Sequence, residues 1–171
     1  MHAITLRPEA PSDHPAIHAL NEAAFGQPDE AELVDALREA CPDFLSLVAE
    51  SNGAIVGHIL FTPAHVGKDG VHLEGMGLAP MAVAPEHQRG GIGSALVKAG
   101  LDELRANRCP FVIVLGHPKY YPRFGFTPAG TFGIHCQWEV PDEAFMAIEL
   151  QPGALTPYQG ATARYHPAFD G

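Results

Sequence analysis

Residues 83–97 read Val-Ala-Pro-Glu-His-Gln-Arg-Gly-Gly-Ile-Gly-Ser-Ala-Leu-Val: the end of an apolar strand, a short polar turn, and glycines that open a helix. The first four amides of a helix have no acceptor within it, and the helix dipole places partial positive charge at that end. Gly90, Gly91 and Gly93 carry no Cβ, so several amides can converge on one anion. Arg89 can add a charge-assisted hydrogen bond. The stretch therefore predicts a strand, turn and helix that together bind a diphosphate.

The glycine spacing distinguishes among the known kinds of phosphate loop. A dinucleotide fingerprint needs a third glycine three residues after Gly93, where Leu96 stands, and a P-loop needs Gly-Lys-Ser/Thr, which is absent. The pattern present is Gln88-x-x-Gly91-x-Gly93. By itself such a loop is also compatible with a tight turn that binds nothing.

A second motif follows the apolar run of residues 111–115. Residues 116–126 read Gly-His-Pro-Lys-Tyr-Tyr-Pro-Arg-Phe-Gly-Phe and contain the pattern Tyr121-x-x-x-Gly125-Phe126. With the glycine loop upstream, this order resembles the GNAT (Gcn5-related) N-acetyltransferases, whose coenzyme A loop and tyrosine segment occur at similar positions. We expect Phe126 to serve only in packing.

The resemblance covers nearly the whole chain and extends to the YhbS-like subgroup of predicted acetyltransferases. Its marks lie at residues 27–34, 46–50, 57–59, 77–83, 116–126, 140–146 and 165–169. It implies an α/β fold with a mixed, mostly antiparallel central sheet, flanked by helices, in which the fourth and fifth strands splay apart. Acetyl-CoA is then the expected co-substrate, with its pantetheine arm between those strands, and no metal is expected.

The resemblance also implies roles for individual residues. Tyr121 corresponds to the general acid that protonates the leaving thiolate, and a phenol pKa near 10 suits that task. A backbone amide in residues 81–83 is the expected donor to the oxyanion of a tetrahedral intermediate. The residues expected to contact coenzyme A are Met81, Ala82, Val83, Gln88, Arg89, Gly90, Gly91, Ile92, Gly93, Ser94, His117, Tyr121 and Phe124.

The base that deprotonates an acceptor amine is less well defined by the sequence. Glu74, on the strand before the loop, is the first candidate, followed by His72 and His117. Glu74 also suits a solvated hairpin, and a chain of water molecules can replace any single base in this fold. Gly75, Gly77 and Pro80 interrupt the same strand, which predicts a bulge, the close approach of a ligand, or irregular packing.

Composition limits the remaining possibilities. The 171 residues suit one domain, 1–171, with a core at about 3–151 and an irregular tail at 152–171. We expect a cytoplasmic protein, because no leader-like or membrane-spanning apolar run is present and the three cysteines are widely spaced. His14 and His18 have helical spacing but no ligand partner nearby, so ordinary surface histidines are expected.

The charge balance bears on partners. A formal net charge of −10 disfavours binding to nucleic acid or anionic membranes and suits a cationic amine, on a small molecule or a protein. GNAT proteins often form dimers, and the aromatic residues of 158–169 suit packing on this chain or on a second copy. A homodimer is therefore left open.

Periodicity predicts the elements that carry these motifs. The first helix is expected to be capped by Ser12 and to bury Ile17, Leu20, Ala24 and Phe25. Asn52-Gly53 and Asp69-Gly70 predict type I′ hairpin turns. Further helices are predicted at 29–40 and 91–107, and strands at 3–7, 45–50, 54–62, 71–83, 111–115, 133–138 and 143–150.

The sequence is compatible with three functions. The first is transfer of an acetyl group from acetyl-CoA to a primary amine by direct attack. The second is a non-catalytic module that binds or senses acyl-CoA. The third is an acyltransferase that uses another acyl group or an oxygen acceptor.

Overall fold

The computed structural model describes residues 3–170, so Met1, His2 and Gly171 lie outside the described residues. Contacts divide the chain into two compact units. Unit 1 contains residues 3–61, 79–100 and 168–170, and unit 2 contains 62–78 and 101–167. The single domain of 1–171 stays a prediction.

The described chain contains three α-helices and nine strands of a mixed sheet, which confirms the predicted α/β class. The helices are α1 (His14–Phe25), α2 (Asp29–Ala40) and α3 (Ile92–Ala106). The strands are β1 (Thr5–Pro8), β2 (Leu45–Ser51), β3 (Ala54–Lys68), β4 (Val71–Val83), β5 (Phe111–Leu115), β6 (Thr127–Pro128), β7 (His135–Cys136), β8 (Phe145–Glu149) and β9 (Thr162–Arg164).

Unit 1 is built on an antiparallel meander of β1, β2 and the first half of β3. Asn52 and Gly53 join β2 to β3 with φ of 53° and 78°, as the predicted type I′ turn requires. Apolar side chains of α1, α2, β2 and β3 form one buried cluster: Ile17, Val34, Leu37, Cys41, Val48 and Leu60. Burial of these helix faces stabilises both helices against the sheet.

A chain of polar side chains also crosses the interior of unit 1. Asn21 Nδ2 lies 3.3 Å from His58 Nδ1, and His58 Nε2 lies 2.9 Å from Ser46 Oγ, which donates to the carboxylate of Glu9. Arg38 Nε donates to the same carboxylate at 2.8 Å. Since Ser46 donates its proton to Glu9, it accepts from His58 Nε2, and the buried imidazole is neutral with Nδ1 as an acceptor. Burial lowers the pKa of His58 to about 4.

Unit 2 contains the other strand pairs. β4 and β5 run parallel with Met76–Leu78 opposite Val112–Val114, and β8 pairs antiparallel with both β5 and β6. The second half of β3 pairs antiparallel with β9, which runs parallel to β7. Asp69 and Gly70, with φ of 53° and 80°, form the second predicted hairpin turn.

The structure corrects the predicted cap and the predicted buried face of the first helix. Ser12 lies in a short 3-10 turn at Pro11–Asp13, and α1 begins at His14 without a side-chain cap. Phe25, which was predicted to be buried, is 42% exposed, and Asn21 is buried instead. The apolar stripe therefore ends a turn earlier, because the polar chain to His58 uses the helix face at Asn21.

The described part of the predicted irregular tail, residues 152–170, is more ordered than predicted. It contains β9 and the 3-10 turns Thr156–Tyr158 and Pro167–Asp170. β3 extends to Lys68 because β9 pairs with its second half. The predicted strand at 133–138 is reduced to His135–Cys136, and β8 begins at Phe145.

Candidate active site

The glycine loop lies between β4 and α3, within unit 1. Ala84 donates its amide to the Val56 carbonyl at 2.8 Å, which ties the end of β4 to β3. Gln88 Nε2 then donates to the carbonyl of Val83 at 3.0 Å. Gln88, the first residue of the loop pattern, thus stabilises the turn with its own side chain.

The start of α3 has the geometry that the sequence predicts. Gly91 has a φ of +87°, in the left-handed region that favours glycine, and its carbonyl accepts the first intrahelical bond, from Ala95 at 3.0 Å. The amides of Ile92 and Gly93 precede this bond and have no carbonyl one turn earlier in the helix. Gln88, Arg89, Gly90 and Gly91 are exposed. The loop can present several main-chain donors to an anion.

A second glycine, on β3, positions this helix. A Cβ on Gly57 would lie 2.7 Å from Ile92 Cγ2 and 3.1 Å from Leu96 Cδ1, both on the first turns of α3. Such distances are shorter than van der Waals contact, so only glycine allows the helix this close. The inward face predicted for α3 is confirmed, since Ile92, Leu96, Val97, Leu101 and Leu104 are buried.

The tyrosine segment lies in unit 2, after β5. Tyr121 begins a 3-10 turn, Tyr121–Phe124, which ends at Gly125 with a φ of +102°. A Cβ on Gly116 would lie 2.5 Å from the Tyr121 ring, so this glycine makes room for the phenol. Phe126 packs edge-on against Tyr121 with ring centroids 5.7 Å apart, which confirms its role in packing.

The environment of Tyr121 alters its acidity. The residue is 8% exposed, and burial, with a smaller effect of Tyr120, raises its pKa to about 12. The phenol is therefore protonated throughout the neutral range and is a weaker acid than the ordinary pKa near 10 suggests. His117 is exposed and Phe124 is half-buried, in the same segment.

Glu74 and His72 lie on the exposed beginning of β4. His72 Nε2 is 3.8 Å from Glu74 Oε1, and their side chains are 60% and 68% exposed. The pair is solvated, and the role of Glu74 as a base stays a prediction.

The interruptions of β4 accommodate aromatic rings of unit 2. A Cβ on Gly75 would lie 2.6 Å from the Phe111 ring, and one on Gly77 would lie 2.6 Å from the Tyr165 ring. Of the three interpretations of this strand, packing accounts for these two glycines. Met81 and Val83, further along β4, are half-buried, and Ala82 is buried.

Tyr165 is a residue that the sequence analysis did not single out. Its ring stacks on Trp138 at 5.6 Å, and its hydroxyl lies 3.5 Å from the Ile113 carbonyl. The signals in the sequence were its presence in the mark at 165–169 and among the aromatic residues of 158–169. Residues 3–170 contain no helix long and apolar enough to cross a membrane, and no group of three metal-ligating side chains occurs among them.

Comparison with known proteins gives a consistent result. A family model described as an acetyltransferase (GNAT) domain matches residues 5–129. Two Escherichia coli proteins named as uncharacterized N-acetyltransferases are similar over most of their length. YjhQ is 38% identical, with 91% of each chain covered, and YhbS is 36% identical, with 96% of this chain and 98% of YhbS covered.

Solved structures agree with the fold. The crystal structure of E. coli YhbS in complex with CoA superposes with a TM-score of 0.91 at 35% identity, covering 100% of this chain and 94% of that one. A GNAT acetyltransferase from Brucella melitensis in complex with acetyl-CoA gives a TM-score of 0.80 at 35% identity, covering 99% and 100%. From its sequence, its fold and these likenesses, the chain belongs to the GNAT family of acetyltransferases.

Proposed function

We propose that the protein transfers the acetyl group of acetyl-CoA to a primary amine of a small molecule or a protein. The observation that carries the proposal is the start of α3, where Gly91, in the left-handed region, ends an exposed loop and directly precedes the helix. Two relatives at 35% identity, described above, hold CoA or acetyl-CoA in their structures. A diphosphate is the anion that such a loop suits best.

The chain's residues fit coenzyme A. Apart from its neighbours in the chain, nothing in residues 3–170 lies within 4 Å of where a Cβ of Gly91 would be, so the space above the loop is open to a ligand. We expect main-chain amides to carry most of the pyrophosphate contact and Arg89 to add charge at the rim. The residues proposed to hold the cofactor are Met81, Ala82, Val83, Gln88, Arg89, Gly90, Gly91, Ile92, Gly93, Ser94, His117, Tyr121 and Phe124.

Acetyl-CoA supplies an activated thioester, which an amine attacks directly. A backbone amide of residues 81–83 is the proposed donor to the oxyanion. Tyr121 is the proposed general acid toward the sulfur. Because its pKa is about 12, complete proton transfer to a thiolate of ordinary pKa near 8.5 is uphill. The phenol therefore acts mainly as a hydrogen-bond donor while the sulfur leaves as a thiolate, which then takes up a proton from solvent.

The amine must lose a proton before it attacks. Glu74 is the proposed base, with His72 and His117 as further candidates and a water chain as the alternative. The exposure of the Glu74 and His72 pair supports proton exchange with solvent.

Release of the CoA thiol during incubation with a panel of amines tests the proposal. We expect turnover by the native protein and a fall in kcat of about a hundredfold for Tyr121→Phe, which keeps the ring and removes the donor. Acetyl-CoA affinity, measured by calorimetry, should stay close to that of the native protein, because the variant keeps the ring that is proposed to contact the cofactor. Tight acetyl-CoA binding with no thiol release across the panel would instead favour an acyl-CoA sensor. Turnover only with longer acyl groups or alcohols would favour the third function.

The cellular location and the oligomeric state are also proposals. Cys41, Cys109 and Cys136 are free thiols, which supports action in the reducing cytoplasm. A homodimer stays an open alternative to a monomer.

A further inference from the structure

A cavity of about 420 Å³ lies within unit 2, at the segment between β6 and β8. Its apolar wall includes Ile134, Trp138 and Phe145. Phe145 and Ile134 are almost completely buried, while Trp138 is half-buried and stacks its ring on Tyr165. The volume is that of a small-molecule site, and the indole provides a rigid aromatic face.

Two carboxylates, of Glu139 and Asp142, line the same cavity. Both residues are exposed, and neither forms a hydrogen bond or ion pair within the described chain. The described residues that line the cavity include no lysine or arginine, and His135 is the only one of them with an ionisable nitrogen. An aromatic face beside unpaired carboxylates is the environment that binds an ammonium group, through cation–π and charge attraction together.

The cavity is connected to Tyr121 through the strands of unit 2. Phe145 lies opposite Leu115 in the β5–β8 pair, and the next residue, Gly116, donates its amide to the Ala144 carbonyl at 2.9 Å. Gly116 is the glycine over which the Tyr121 ring lies.

A second connection runs through Tyr165, whose ring stacks on Trp138. Burial raises the pKa of Tyr165, and the neighbouring Tyr121 adds to this effect. Both connections join residues of the cavity lining to the segment that bears the proposed acid.

The carboxylates also restrict what the bound ammonium can do. An opposite charge nearby favours the protonated form of an amine, whereas attack on a thioester needs a neutral amine with a free electron pair. The ammonium held in the cavity is therefore not the group that is acetylated. An acceptor that uses this cavity must carry a second amino group, which stays outside it and reacts.

From this geometry we infer that the acceptor is a diamine, one end of which is anchored as an ammonium ion between Trp138, Glu139 and Asp142 while the other end is acetylated. The inference rests on the proposed acetyl transfer and names its substrate class. The net charge of −10 supports it, because a negative surface attracts a dication more strongly than a monoamine.

Trp138 is the only tryptophan of the chain, so its fluorescence reports on the cavity independently of activity. We expect diaminopentane and pentylamine both to change its emission saturably, and pentanol, which has no charge, to leave it unchanged. The double variant Glu139→Gln, Asp142→Asn should bind the amines about tenfold more weakly, a change of about 1.4 kcal/mol. Glu143→Gln, a neighbouring exposed acid outside the cavity lining, is the matched control and should bind as the native protein does.

Kinetics separate the anchored end from the reacting end. Diaminopentane should be acetylated, whereas pentylamine should inhibit its turnover competitively without being acetylated. The double variant should raise the KM for diaminopentane about tenfold and leave kcat and the KM for acetyl-CoA within about twofold. Equal effects of the double variant and Glu143→Gln, or faster acetylation of pentylamine than of diaminopentane, would overturn the inference.

The two proposals can fail separately. Amine turnover whose KM is insensitive to the double variant overturns the cavity assignment and leaves acetyl transfer standing. Charge-dependent fluorescence changes that the double variant weakens, without any thiol release, support the cation site and overturn acetyl transfer.

Discussion

At the scale of single residues, two neighbouring glycines of the loop differ in what they require. Gly91 has a φ of +87°, whereas Gly90 lies outside the left-handed region and a Cβ there would be 3.4 Å from the His87 carbonyl. Of these two glycines, Gly91 therefore needs the conformational freedom of glycine, and Gly90 tolerates a small side chain.

We predict that Gly91→Ala weakens acetyl-CoA binding by about tenfold or more, because a left-handed alanine costs about 1–2 kcal/mol and the amides move out of line. Gly90→Ala is the matched control, and Arg89→Ala should cost only a few fold, because it removes one rim charge. Calorimetric titration with acetyl-CoA measures all three. A weaker effect of Gly91→Ala than of Arg89→Ala would show that charge, not main-chain geometry, dominates.

At the scale of elements, the position of α3 depends on strand β3. Gly57 and Gly67 lie on this strand, but their surroundings differ. A Cβ on Gly57 would lie 2.7 Å from Ile92, whereas one on Gly67 would meet nothing closer than 3.6 Å. The first turn of α3, which follows the loop, thus packs against a strand position that has no side chain.

Gly57→Ala should destabilise the protein by about 1–3 kcal/mol, because an inserted methyl group must displace Ile92 or the helix. It should also weaken acetyl-CoA binding although residue 57 lies outside the loop. Gly67→Ala, on the same strand, should change neither. Urea unfolding measures the stability, and calorimetry measures the affinity for acetyl-CoA. Unchanged binding in a destabilised Gly57→Ala protein would show that packing of α3 on Gly57 does not affect the binding site.

At the scale of the whole molecule, stability depends on pH through the buried His58. Its pKa is about 4 in the folded state and about 6.5 in an unfolded chain. Between these values the unfolded state binds the proton and the folded state does not, so stability falls as pH decreases. The stabilisation is complete above pH 6.5 and is lost progressively down to pH 4.

A difference of roughly 2.5 in pKa corresponds to about 3 kcal/mol lost over that range. His58→Gln, which cannot take up this proton, should give a flatter stability profile between pH 4 and 6.5, even if it is less stable at pH 7. His87→Gln, at a half-buried histidine outside the polar chain, is the control. Urea denaturation across this range decides the matter, and identical slopes for native and His58→Gln proteins would contradict the assignment.

Local signals determined much of this protein. Residues 83–97 specify a strand, a turn and a helix start through glycine and helix-end chemistry alone, and Asn52-Gly53 specifies its turn, because these features depend on neighbours in the chain. Helix α2 has the predicted bounds for the same reason. The tyrosine segment was identified by the resemblance of Tyr121-x-x-x-Gly125-Phe126 to the GNAT pattern.

Only the tertiary structure decided the features that depend on distant residues. The order of the tail comes from pairing of β9 with β3, and the glycines at 75 and 77 are explained by rings from residues 111 and 165. The acidity of Tyr121 and His58 depends on burial, which no local pattern specifies. The cavity at Trp138 is lined by one stretch, residues 130–145, but that stretch is held in place by the pairing of β7 with β9 and of β8 with β5. Sequence proximity determines turns and helix ends, whereas burial and contact between remote segments arise only when the chain is folded.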